Sequence, residues 1–253
     1  MRNMIYAAIL TAMWLPQDAC AASAQDTHYI PDCAGVMEIK EARALRVEKG
    51  GALILPDGRI VVLEGIRLAP GEHGMAALRK LVFAGPIAFS VTPPKGDRYG
   101  RIRAQAFGKE WLQMALLEQG TARVQIAPDR PECAPDFYEA EARARARHAG
   151  LWARSENRVR TPDDLKGMIG SFQLVEGRVS DVVRADGRIL LEFEGKVRRG
   201  FSAVIEPEDR RAFRDFDLDG LSSRRIRIRG IVQDYRGRPE IALATPWQIE
   251  TLD

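Results

Sequence analysis

Histidine and cysteine are scarce in this chain, with three of each among 253 residues. His28, His73 and His148 stand apart in sequence, and no Cys-x-x-Cys occurs. A zinc site needs clustered nitrogen and sulfur ligands, so none is expected. Aromatic residues make up only 7% of the chain, which leaves few planar side chains for stacking on bases. There is no large excess of either charge: Lys+Arg 38 stand against Asp+Glu 35, a formal net of +3. That excludes the uniformly basic surface of a DNA-packaging protein and confines any polyanion contact to a local patch.

What is present is a 45% hydrophobic content, enough for one large domain or two small ones. The basic residues are mostly arginine, which suits forked contacts to phosphate or carboxylate, although coding bias accounts for it equally well. The opening "MRNMIYAAILTAMWLPQDACAASAQ" has the pattern of a secretory signal over 1–24. Arg2 is the positive end, Met4 to Leu15 the apolar run, and Ala22, Ser23 and Ala24 the small residues of a cleavage site. The run is short for a membrane span, so none is expected once it is removed. The polar Gln17 and Asp18 ahead of Cys20 argue against a lipid anchor there. The expected location is periplasmic or secreted. Cys33 and Cys133 then remain as an even pair in an oxidising compartment and are expected to form a disulfide.

The rest divides into two strand-rich halves. "ARALRVE", "ALIL" and "RIVVLEGI", separated by Gly50-Gly51 and Pro56-Asp57-Gly58, read as a meander. A helix over 75–83, strands over 87–91 and 101–107, a helix over 111–120 and a strand over 122–126 follow. Residues 135–150 alternate alanine with charge at the period of a strand. Their Ala, Glu and Arg content, and the pairs Glu139/Arg143 and Glu141/Arg145 four apart, predict a helix instead. The polar stretch 154–168 reads as a linker between a domain over 33–153 and another over 169–253. In the second, three strands, a helix over 207–216 and two more strands match a small OB-type barrel.

The motifs "DRYGR" (97–101), "WLQMALLEQGTARV" and "EAEARARARHAGLW", in this order, resemble the staphylococcal nuclease (thermonuclease) family over roughly 36–153. The resemblance implies an OB-fold barrel carrying helices, hence an α+β chain of two OB-like barrels. It also implies calcium-dependent phosphodiester hydrolysis by acidic calcium ligands, a glutamate base and two arginines. Arg101 matches one of those arginines. The family's "DGDT" turn is "EKGG" here, with Gly50 at a ligand position, and its "RLxGIDAPE" becomes "VLEGIRLAPGE". Val62 then replaces the second arginine, Arg67 a calcium-binding aspartate and Gly71 the base. The tyrosines that often follow the "ARV" strand are missing from "QIAP". No metal site and no cofactor are therefore expected, although the family would carry calcium.

An extra residue near Leu68 would leave Glu72 as a displaced base, with His73 beside it to polarise water, but an acid shifted by one position points elsewhere. Glu64 and Asp57 are read as solvated surface groups. Two readings of "DRYGR" stand: Lys95, Arg98, Tyr99 and Arg101 contact phosphate, or Asp97 and Arg101 brace the loop with Tyr99 packed on the barrel. In "RRIRIRG", Ile226 and Ile228 point inward while Arg225, Arg227 and Arg229 line the opposite face, as a polyanion patch or as a solvated charged surface. The leading expectation is a secreted nuclease-fold protein with an eroded site that binds nucleic acid or another polyanion without sequence specificity. A divergent active nuclease and an envelope protein-interaction module are the alternatives.

Overall fold

Alternating apolar residues after Gly35 lay down strands β1 (Val36–Ala42), β2 (Arg46–Val47), β3 (Leu53–Ile54) and β4 (Ile60–Leu63), with Ile39, Leu53, Leu55 and Val61 turned into a core. This is a computed structural model, and it describes residues 31–91, 96–195 and 200–252. The expected signal segment and Lys95 lie outside those residues. The stretch "RIVVLEGI" is not one strand. It breaks at Gly65, whose φ of 81° suits glycine and whose Cβ would meet the Phe137 ring at 2.4 Å. A separate strand, β5 (Ile66–Leu68), follows.

Helix α1 (Glu72–Val82) buries Met75, Leu78 and Val82, a spacing that places one apolar stripe on the core. Strands β6 (Ile87–Val91) and β7 (Ile102–Phe107), helix α2 (Leu112–Glu118), strand β8 (Ala122–Val124) and helix α3 (Ala134–Ala146) complete the first half. Its sheet runs β1-β6-β7-β4-β3-β2, with β4 and β7 parallel and the other neighbours antiparallel. Because β1 and β2 are successive stretches of one interrupted strand, that order closes on itself as an OB barrel does. β5 and β8 form a two-stranded antiparallel sheet beside it.

Helix α3 confirms composition over period. Phe137, Ala140 and Ala144 form its buried stripe, and both expected ion pairs, Glu139–Arg143 and Glu141–Arg145, are present. The following Gly150 packs against Gly120, where a Cβ on either would meet the other segment's backbone oxygens at 2.1–2.5 Å. Cys33 and Cys133 form the expected disulfide, which ties the start of β1 to the start of α3.

The second half contains β9 (Phe172–Ala185), β10 (Arg188–Phe193), β11 (Ser202–Ile205), β12 (Arg225–Tyr235), β13 (Arg238–Ala242) and β14 (Ile249–Thr251). Pairing runs β9-β10-β11-β13-β12 and back to β9, with β11 and β13 parallel, and β14 is added to β12. That is a closed five-stranded barrel of OB order, as expected. Within 207–216, where a helix is expected, only a 3-10 turn over Arg210–Phe213 forms, and a second turn, Asp219–Leu221, follows it. Phe213, Leu218 and Leu221 anchor these turns in the barrel core, so three burial points replace a continuous helical stripe.

Residues 154–168 are fastened to the second barrel. The Arg160 N–H donates to the Leu174 carbonyl at 2.8 Å, and Leu165 is buried in the second core. A third apolar cluster, of Ala69, Ala144, Leu151, Trp152 and Leu174, lies at the seam between the barrels. Among the described residues no helix is long and apolar enough to cross a membrane.

Candidate nucleic-acid interface

The "DRYGR" loop is organised from within. Asp97 Oδ1 accepts the N–H of Tyr99 at 2.9 Å and that of Arg101 at 3.0 Å, while Oδ2 accepts Arg101 Nε at 2.7 Å and lies 2.6 Å from Nη2. Burial opposes the Asp97 charge. Hydrogen bonds from the Arg101 side chain and from the two backbone N–H groups outweigh it and hold the carboxyl below its usual value. Arg101 remains part-exposed and lines the cleft between the barrels. Tyr99 is not packed on the barrel. It is 67% exposed, with the Arg98 and Arg101 guanidiniums 4.9 and 5.2 Å from its ring centroid, because a hairpin tip offers no apolar surface to cover it.

The positions that the resemblance assigns to metal and base hold no carboxylate set. Gly50 sits in the turn after β2, Gly71 caps the start of α1, and Arg67 projects from β5. Among the described residues no group of three or more His, Cys, Asp or Glu is close enough to hold a metal ion. The remaining acids are engaged elsewhere: Asp97 with Arg101, Asp57 with Arg59 at 2.6 Å, and Glu72 with Arg79 at 3.2 Å. Calcium is held by carboxylate and carbonyl oxygens together with water, and Gly50, Arg67 and Gly71 bring no carboxylate to these positions, so they do not fit it. Glu72 is exposed at the start of α1 and opens on a different cavity from Arg101, so the two are not brought to one reacting centre.

Glu64 is a correction: it is buried rather than solvated, 3.4 Å from Arg103. Burial raises its pKa, and the Arg103 and Arg130 charges offset this only in part.

The arginines of β12 also differ from an open charged face. Arg229 is buried between the barrels at 2% exposure, so its reading as a surface phosphate contact is corrected. Its guanidinium pairs with Glu141 of α3 at 2.9 Å and with Glu250 of β14, and lies 4.4 Å from the Tyr138 ring centroid. Arg227 pairs with Glu176 at 2.7 Å and Glu250 at 3.2 Å, and Arg225 pairs with Glu176. The alternation correctly separated isoleucine from arginine on β12, but helix α3 of the first barrel covers the end of the arginine face.

This seam is not legible in the sequence. Glu141 is fully buried, accepts the Val124 N–H at 2.9 Å and pairs with Arg145 at 2.7 Å. Tyr138 donates to the Trp247 carbonyl, and burial pushes its hydroxyl up to about 12. The four-residue spacing of Glu141 and Arg145 revealed a helical pair but not the third partner on another barrel.

Two cavities flank the seam. One, of about 590 Å³, lies between Glu64, Arg67 and Arg101 of the first barrel and Phe172, Ile231 and Trp247 of the second half. The other, of about 640 Å³, is lined by Lys49, Arg67, Arg123, Asn157, Phe172 and Ile231. Arg67 borders both, and a smaller hollow beside Gly50 and Arg101 as well. Together they make a groove along the barrel junction with Arg67 at its centre.

Two OB-ordered barrels joined by a buried ionic seam thus define the class of this protein. Its first barrel is a staphylococcal-nuclease-like domain: residues 71–154, about a third of the chain, match the family described as staphylococcal nuclease homologue. The match spans "DRYGR", α2, β8 and α3, and it begins after Gly50, Val62 and Arg67. No curated protein matches the chain.

Proposed function

We propose that the protein binds nucleic acid, or a similar polyanion, in the groove between its barrels, and does so without calcium-dependent cleavage. The observation that carries this reading is Arg67, an exposed guanidinium where the resemblance places a metal-binding aspartate, with no ion pair or side-chain hydrogen bond among the described residues. A cation at that point repels calcium and attracts the phosphates that calcium would have bridged.

Arg101 adds a second phosphate contact. Its bond to Asp97 fixes the guanidinium plane and leaves one edge toward the cleft. Lys49 adds charge at one end, and Phe172, Ile231 and Trp247 contribute apolar surface. Such contacts supply affinity without sequence information. The Arg225–Arg229 run contributes little because carboxylates already neutralise it. The signal pattern and the disulfide support a periplasmic or secreted location, where loose nucleic acid is a ready polyanion.

The test is a salt titration of single-stranded DNA binding by wild type and Arg67→Gln. With three or four phosphate contacts, log affinity falls against log salt with a slope of about −2 to −3, and the variant flattens it by about 0.7. Absence of binding at low salt would refute the reading and leave a protein-contact role for the groove.

A further inference from the structure

Arg67 on β5 and Arg123 on β8 are directly opposite each other in the antiparallel pair, so their side chains leave the same face of that small sheet. Both open into the cavity of about 640 Å³ at the seam. Like charges placed opposite on neighbouring strands destabilise a sheet, and a fold keeps such a pair only against some compensation. No carboxylate forms an ion pair with either arginine among the described residues. Of the acids on the same cavity wall, Glu72 pairs with Arg79 at 3.2 Å and Glu156 lies 3.9 Å from Arg154. Buried Glu141 attracts Arg123 from behind, against the repulsion of Arg67 and Arg229.

Arg123 is also held in place. It donates to the Asn157 side-chain oxygen, and Asn157 in turn donates to the Leu151 carbonyl at 2.9 Å. Its guanidinium lies 5.1 Å from the Phe172 ring centroid and 5.9 Å from that of Trp152. Its Nε is buried and has no hydrogen-bond partner among the described residues. Burial, together with the neighbouring Arg67 and Arg229, lowers its pKa from the usual arginine value. Arg123, held by Asn157, and Arg67, without an ion pair among the described residues, thus face one cavity.

Resting on the reading that the groove takes a phosphodiester chain, we infer that Arg67 and Arg123 together hold one of its phosphates, at the point where the strand crosses from the first barrel to the second. Two guanidinium forks offer enough donors for the non-bridging oxygens of one phosphate. The second barrel supplies the far wall: Ile231 is 44% exposed and Phe172 half-buried, giving the adjoining nucleoside an apolar surface. Neither barrel alone makes this site. Arg123 is a binding residue in this account, and Asn157 positions it.

The test uses inorganic phosphate and a sixteen-residue oligothymidylate as probes, on the full chain and on Arg67→Gln, Arg123→Gln and the distant Arg184→Gln. Without ligand, Arg67→Gln should melt about 1–2 °C higher, because removing one of two opposed charges relieves the sheet. Arg123→Gln, which also loses the Asn157 bond, should melt lower. Millimolar phosphate, compared with chloride at equal ionic strength, should raise the melting temperature of wild type and Arg184→Gln but of neither site variant. Oligothymidylate affinity should fall about three- to tenfold in each site variant.

Loss of the phosphate effect in both site variants supports the site even if the oligonucleotide does not bind. In that case the groove reading alone falls, and the pair serves free phosphate. Full phosphate stabilisation of Arg67→Gln, or none of wild type, overturns the inference whatever the oligonucleotide does.

Discussion

Both carboxylate oxygens of Asp97 are engaged by its own loop, and this decides what Arg101 can do. Replacing Asp97 with Asn removes the ionic bond while keeping the shape, and should cost about 1 kcal/mol at neutral pH. The sign with pH follows from its lowered pKa: the contribution is present above the ordinary carboxyl value and disappears as acid protonates the folded form. Denaturation of wild type and variant at pH 7 and near pH 3 should show the gap closing in acid. Glu64 has the opposite sign. Its raised pKa means that the folded state binds the proton more tightly than the unfolded state. Its share of stability is therefore complete below the ordinary carboxyl value and is lost as pH rises through the folded one. Glu64→Gln should remove that decline, and a stability profile between pH 4 and 8 identical to wild type would exclude it. At this scale the "DRYGR" motif that carries Arg101 was legible, because motif positions depend on local sequence. The burial of Glu64 was not, because it depends on Arg103 and Arg130, which reach it from elsewhere in the chain.

Helix α3 meets two barrels across two turns, through Tyr138, Glu141 and Arg145. Glu141 is the element's critical side chain, since it satisfies Val124 N–H, Arg145 and Arg229 from a fully buried position. Glu141→Ala would leave the buried Arg229 with Glu250 as its remaining carboxylate partner, and breaking one side of a buried ion pair costs about 3–5 kcal/mol. Urea denaturation should show that loss, whereas the exposed Glu139→Ala should shift stability by less than about 1 kcal/mol. The helix itself was readable from alanine content and charge spacing, against the two-residue alternation. The helix expected over 207–216 had charge and length but too few apolar positions at helical spacing, and the barrel core took up Phe213, Leu218 and Leu221 as separate anchors. Strand alternation on β12 fixed which residues share a face. What covers that face is set by tertiary packing, which alternation does not encode.

The whole molecule is held by the Cys33–Cys133 bond within the first barrel and by the seam between barrels. Reducing a cross-link with a sequence separation of 100 should cost about 4–5 kcal/mol in the chain-entropy model. Oxidised and reduced protein should differ in mass by two hydrogens, and the reduced form should unfold at lower denaturant. Two free thiols in protein from its native compartment would remove this staple. The two-barrel plan was legible as strand counts and turn signals, but the groove was not, because it exists only where β5, β8 and β12 come together. The proposed function is polyanion binding by a nuclease-like fold without calcium chemistry. Its most direct test follows labelled single-stranded DNA by anisotropy and by strand length, across a salt series, with calcium or with chelator. The account predicts intact DNA and a salt-sensitive affinity that is the same in both conditions. DNA shortened only when calcium is present would contradict it.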